Sequence, residues 1–304
     1  MLVIRSKATK GVPQSEHHPA RYFVPTGTLG RDRGLRLHLH RHRPRRVSPG
    51  PGGDPWYGVM YVVAIYIATR VAQRFVGFFG ADEDEMWGVL PWCIGAGLLG
   101  GRLYYVVQNR QGYYLAHPQH ILAFTEGGMA FFGAIGAAGL AIVIYSFRRH
   151  VPLWPMLDVA AVFAAVGQPI GRIGNIVNGD IVGYATHLPW GFVYTNPHSL
   201  APSSVVAYQP APVYEIIANL LLLLVMWLVL RRWHPPGLAA CLYLGGYAVT
   251  QFIVFFGRAN SVTLLGLKQA QLAALVTFAV AIALGWFVVR PRIEKPSSLQ
   301  PEEL

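Results

Sequence analysis

Four places in the chain set charged and hydrogen-bonding side chains inside or at the ends of apolar runs. The densest is Gly167–Asp180 (GQPIGRIGNIVNGD), where Arg172, Asn175, Asn178 and Asp180 crowd into about two helical turns. Arg172 and Asn175 are three apart, so on a helix they share a face. Tyr214-Glu215 opens another run, and Glu215 is a natural partner for an intramembrane arginine. Arg258 closes a third run, after Phe252–Gly257. In the fourth, Gly100–Tyr105 (GGRLYY), Arg102 reads equally as a snorkelling interfacial cation and as a functional group. Ionisable groups in an apolar run are costly and persist when paired or used. Arginine presents a fork of N–H donors that matches phosphate oxygens. Arg172 and Arg258 therefore predict an anion site suited to phosphate, with a structural ion pair as the plainer alternative.

The elements that carry these groups follow from composition. The chain has 304 residues, 53% of them hydrophobic and 13% charged. A soluble domain carries nearly twice that charge. Two cysteines, Cys93 and Cys241, both inside apolar runs, exclude a disulfide-stapled secreted domain. Seven apolar runs cover roughly 56–79, 86–107, 127–147, 157–177, 213–230, 238–256 and 272–289. Each is about a membrane thickness long at helical rise. They do not alternate apolar with polar, so strands are not expected within them. The expected fold is an all-α polytopic membrane protein of seven transmembrane helices.

Loop charges give an orientation. Arg70 and Arg74, Arg148 and Arg149, Arg231 and Arg232, and Arg290, Arg292 and Lys295 all fall on one side, which reads as cytoplasmic. The loop 179–212 has no Lys or Arg, as an outside loop should. The body, 55–290, then runs N-outside to C-inside, with 291–304 as a short cytoplasmic tail. Residues 1–54 form a basic arm that should be disordered, because its composition cannot bury a core. Residues 1–50 hold 11 Lys/Arg against 2 acids, which accounts for most of the net charge of +11. Basicity confined to one arm argues against a nucleic-acid partner. On the outer face the arm breaks the charge rule. It is either a real appendage or a mis-assigned start or reading frame, and the rule favours the second.

At these residues the chain resembles the prolipoprotein diacylglyceryl transferases. Gly171–Gly183 (GRIGNIVNGDIVG) resembles that family's signature. Trp56–Tyr61, Gly101–Tyr105, Glu126–Phe131, Leu188–Gly191, Tyr214-Glu215 and Phe252–Arg258 resemble further family motifs in order, from about Trp56 to Trp286. The departures are Phe132 where the family has His or Tyr, Gln209 for a His, Asp180 for a Glu, and Phe255 for a Glu before the last arginine. Phe132 can neither exchange a proton nor accept a hydrogen bond.

The resemblance implies transfer of a diacylglyceryl group from phosphatidylglycerol to the lipobox cysteine of a preprolipoprotein signal peptide, releasing glycerol 1-phosphate. It implies the bacterial plasma (inner) membrane, with the site toward the outer face. Such a reaction needs fixed donors for the leaving phosphate, an ionised thiol and in-line placement. Under it, Arg172 and Arg258 hold the phosphate, Asn175 orients phosphate or headgroup, and Asp180 and Glu215 orient the arginines. Tyr57 meets the lipid headgroup, and Gly183 permits close backbone approach. Arg102 is a secondary phosphate contact, and Asn178 and Tyr214 line the lipid site. A positive site lowers an incoming thiol's pKa, which would make a dedicated His dispensable. No cofactor and no metal are expected. The alternatives are a catalytically silent relative that binds anionic lipid, and an anion transporter.

Overall fold

A computed structural model of the chain describes residues 45–47, 55–108, 113–122, 129–196 and 199–294; for 45–47, 55–57 and 294 it describes the backbone alone. Among these residues, seven helices of at least 16 residues follow one another. They are α1 (Pro55–Gln73), α2 (Glu83–Gln108), α3 (Phe131–Arg149), α4 (Leu153–Asn178), α5 (Ala211–Leu230), α6 (Leu238–Val254) and α7 (Gln269–Leu284). Each coincides with one expected apolar run. The first run divides, because the chain turns at Arg74-Phe75 and restarts as a short helix, Val76–Phe79.

Five stretches are long and apolar enough to cross a membrane: Phe131–Arg149, Leu153–Asn178, Ala211–Leu230, Leu238–Gly257 and Gln269–Ile293; Gly58–Gln73 is a shorter apolar helix. The last continues beyond α7 through a π turn, Gly285–Val289. Large apolar side chains such as Trp92, Phe147, Trp227, Ile253 and Phe287 lie exposed along the helices. In water such a surface would aggregate, whereas in a bilayer it meets acyl chains. The protein is a mostly helical, multi-pass membrane protein.

Helix α4 is the hub, packing against α1, α5 and α6. Ala64, Ala68 and Ala72 recur every fourth residue on α1 and are buried. They bring α1 onto α4, where a Cβ at Gly167 would sit 3.4 Å from that of Ala68. Helices α2 and α3 cross still more closely, with the Gly100 and Gly133 backbones in direct contact; a Cβ on Gly133 would meet the Gly100 carbonyl at 2.4 Å. An apolar cluster that includes Ala72, Met86, Val162, Met226 and Ala239 fills the half of the bundle away from the arginines.

At that same end the basic helix termini are tied by polar contacts. Arg149 pairs with Glu85 at 3.2 Å, and the Tyr145 hydroxyl donates to Glu85 at 2.6 Å. Asp158, fully buried, accepts the Gly237 and Ala240 backbone N–H groups at 2.6 and 2.9 Å, capping α6 from across the bundle. Asp158, an ionisable residue inside the apolar run 157–177, was not among the groups singled out from the sequence.

The opposite end carries short β-structure, outside the helical runs. Strand β1 (Arg45–Val47) runs parallel to β2 (Phe192–Tyr194), and β3 (Val262–Leu264) pairs antiparallel with β4 (Leu267-Lys268). Arg45–Val47 belongs to the basic arm; the rest of residues 1–54 lies outside the described residues. So do Glu126–Gly128 and Lys295.

Candidate active site

The signature stretch folds as the last turns of α4. Pro169 lacks an N–H and so leaves the Ala165 carbonyl without its helical partner, loosening the turn that leads into Arg172. The helix stops at Gly179, whose φ of +71° suits glycine, and the Gly179 N–H closes on the Asn175 carbonyl at 2.9 Å. A side chain there would also strike Ser199, with its Cβ at 2.6 Å. The turn folds Asp180 back onto the helix. Asn175 donates through Nδ2 to both Asp180 carboxylate oxygens at 3.1 Å and accepts at Oδ1 from Arg172 Nη1 at 3.3 Å. Asn178 adds a side-chain hydrogen bond to Asp180. Burial raises the Asp180 carboxyl above its ordinary range, and the Asn175 bond opposes that shift.

Glu215 lies in the second turn of α5 and is completely buried. It joins the two arginines. Arg172 Nε stands 2.7 Å from Glu215 Oε2, an ion contact without an aligned hydrogen bond, and Arg258 Nη1 donates to Glu215 Oε1 at 3.1 Å. Both arginine side chains keep 13% exposure, although the Nε of each is buried. Helix α6 ends at Val254 and tightens into a 3₁₀ turn, Phe255–Gly257, after which Arg258 is extended. The Arg258 guanidinium then lies 4.3 Å over the Phe255 ring. Two cations thus share one buried carboxylate, with the Asp180 carboxyl tied to Arg172 through Asn175.

The loop 179–212 and the Arg258 turn form a collar over this cluster. The Gly183 N–H donates to the Gln209 carbonyl at 3.2 Å, the Tyr184 N–H to the Gly257 carbonyl at 3.3 Å, and the Ala259 N–H to the Val182 carbonyl at 3.2 Å. A Cβ on Gly183 would meet the carbonyls of Gln209 at 2.5 Å and Gly257 at 2.9 Å. The close approach foreseen at Gly183 is therefore one of protein backbone. Trp190 Nε1 donates to the Tyr214 hydroxyl at 2.8 Å, tying the loop to α5.

The structure brings Arg172, Asn175, Asn178, Asp180, Glu215 and Arg258 together, with Gly183 and Tyr214 on the rim. None of Arg102's described partners belongs to this group. That side chain is 1% exposed, donates to the carbonyls of His120 and Ile121 at 2.6 and 2.9 Å, and lies beside the Tyr105 and Tyr114 rings. Tyr57 lies in the first turn of α1, and its side chain is outside the described residues. Two further features had no signal in the sequence. Gln168 donates to the Tyr243 hydroxyl at 3.3 Å, one turn from Arg172, and Lys268 is buried behind Arg258.

A family model described as prolipoprotein diacylglyceryl transferase matches residues 55–287, the whole helical body. The chain belongs to the prolipoprotein diacylglyceryl transferase family. It is 32% identical over 280 residues to the phosphatidylglycerol–prolipoprotein diacylglyceryl transferase of Synechococcus elongatus, covering 86% of this chain and 96% of that protein. The protein of the same name from Ruegeria pomeroyi is 33% identical over 78% of this chain and 90% of its own length. That of Bordetella avium is 28% identical over 83% and 95%. Membership makes the chain a transferase of lipoprotein biosynthesis.

The departures from the family pattern have visible consequences. Phe132, in the first turn of α3, packs edge-on against Phe131, which in turn lies 5.3 Å from the Tyr247 ring. Phe255 supports Arg258 with a ring face in place of a carboxylate. Gln209 closes the collar through its backbone, a role any residue with an N–H fills.

Proposed function

We propose that the chain transfers the diacylglyceryl group of phosphatidylglycerol to the lipobox cysteine of preprolipoproteins. The observation that carries this is the convergence of Arg172 and Arg258 on Glu215, with both side chains still partly exposed. Glu215 holds the guanidiniums at a fixed separation, and guanidinium N–H groups donate to the lipid phosphate oxygens. The Asp180–Asn175 pair holds Arg172 from its other side.

The thiolate sulfur attacks the glycerol carbon that bears the phosphate ester. The new bond is C–S, and the C–O bond breaks with its electrons passing to the phosphate oxygen. The thiol proton is balanced on the released glycerol 1-phosphate. Charge builds on the departing oxygen, where preorganised donors act most strongly. The same positive field favours the thiolate over the thiol. Both carboxylates of the cluster are engaged, Glu215 by the arginines and Asp180 by Asn175, so in this reading the arginines activate the thiol by field and Phe132 is tolerated.

The same reading sets seven helices across the bacterial plasma membrane, N-outside and C-inside, with the site toward the outer face. Its support is the segregation of charge: the Lys/Arg-free loop 179–212 covers the cluster, and Arg70 and Arg149 end helices at the opposite pole.

The test is purified protein with phosphatidylglycerol and a lipobox peptide, following the thioether product by mass spectrometry. Wild type makes product with or without residues 1–50, and Arg172→Ala does not. Saturable lipid binding with no product from wild type would mean that the fold kept its arginines and lost its chemistry.

A further inference from the structure

We propose that Lys268 is a positioning residue for Arg258, acting through the backbone of the turn that carries it. This rests on the reading that Arg258 meets the lipid phosphate. Lys268 stands at the N-terminus of α7 and is 5% exposed. Its Nζ donates to the carbonyls of Phe255 and Arg258, each at 2.5 Å. Its ammonium also lies 4.9 Å from the centre of the Tyr184 ring. No carboxylate is among its described partners. The charge is therefore directed at backbone oxygens, which are strong acceptors for a cation.

The position of those oxygens gives the lysine its role. A helix leaves its last four carbonyls without partners, and α6 ends where the chain must turn to deliver Arg258. The incoming end of α7 supplies further donors to this turn. Gln271 Nε2 donates to the Phe252 carbonyl at 3.1 Å, while Gln271 Oε1 accepts the Lys268 N–H at 2.9 Å. Lys268 donates to the Phe255 carbonyl, which also accepts the Arg258 N–H at 3.3 Å, and to the Arg258 carbonyl. The extended backbone of Arg258 is thus gripped at its own carbonyl, with its side chain running the other way to Glu215. Tyr184, from the collar, closes over the grip and links it to the loop above the site. A guanidinium that stabilises a departing oxygen must be placed to within a fraction of an ångström, and a shift of about 1 Å costs on the order of a hundredfold in rate.

A double-mutant cycle separates positioning from simple capping, because only coupled residues give non-additive losses. Lys268→Met, Arg258→Lys and the double variant are compared with wild type for kcat, KM and thermal midpoint. The expected result is a loss of at least tenfold in kcat for Lys268→Met, with KM for the lipobox peptide within threefold of wild type. In the Arg258→Lys background the same substitution costs less than threefold, and Lys268→Arg restores kcat to within threefold. If Lys268→Met does not fold, Tyr184→Leu replaces it in the cycle, with a three- to tenfold loss that disappears when Arg258 is Lys. A loss for Lys268→Met of equal size in both backgrounds, or a kcat within twofold of wild type, overturns the proposal. Binding of the same proteins to vesicles of phosphatidylcholine containing phosphatidylglycerol is measured in parallel. If wild type makes no thioether, the transferase reading fails alone, and the binding cycle still reads the Lys268–Arg258 coupling: non-additive supports it, additive overturns it.

Discussion

Glu215 holds two guanidiniums at one buried point, and its removal should be felt twice. Glu215→Gln keeps the shape and deletes the charge, leaving Arg172 and Arg258 facing each other unneutralised. Breaking a buried pair in this way costs about 3 kcal/mol or more. The expected outcome is a lower thermal midpoint in detergent, recovered more by added phosphatidylglycerol than in wild type, because the lipid phosphate supplies the missing anion. Asp180 gives a pH signature. Its carboxyl is raised by burial, so it protonates as pH falls at a point above the ordinary carboxylate range. A protonated Asp180 holds Asn175 less firmly, so kcat should fall with pH through that raised value, and Asp180→Asn should lose the limb. The stability effect has the opposite sign: between the ordinary and raised values the folded state holds the extra proton, so stability falls as pH rises. These residues were legible in the sequence because ionisable groups stand out in apolar runs. Lys268 was not, since a lysine beside a glycine-bearing loop looks like any interfacial charge. Arg102 stood out equally, but its partners are loop carbonyls that no spacing rule could supply.

At the scale of elements, each apolar run coincides with a long helix among the described residues, five of the stretches being long and apolar enough to cross a membrane, and the differences fall at helix ends. Helix α3 starts at Phe131, later than its run, and α4 starts at Leu153, earlier, because Pro152 and not hydropathy sets where the chain enters the helix. The collar strands were not foreseen, as they are too short for a period to show. Asp158 illustrates what pairing between elements adds. It caps α6 from α4 at the pole away from the arginines. Asp158→Ala should cost about 1–2 kcal/mol of stability, as lost caps do. Its kcat at a temperature where it remains folded should match wild type. A melting curve and a single-temperature assay check the two halves of that expectation.

At the scale of the molecule, charge is sorted between the poles of the bundle. In an otherwise wild-type chain freed of Cys93 and Cys241, Ser204→Cys in the collar loop should react with an impermeant maleimide in intact spheroplasts. Arg148→Cys should react only after permeabilisation. The reverse pattern would place the site on the cytoplasmic face. In the proposed reaction the two arginines promote displacement of a lipid phosphate by a thiol. Counting both products in one reaction tests it most directly: thioether peptide by mass spectrometry and glycerol phosphate by enzymatic assay, for wild type, Arg172→Gln and Arg258→Gln. Equal amounts of the two products are expected from wild type, with a loss of at least about a hundredfold in each variant. Thioether formation undiminished in either variant, or glycerol phosphate released without thioether, would contradict it.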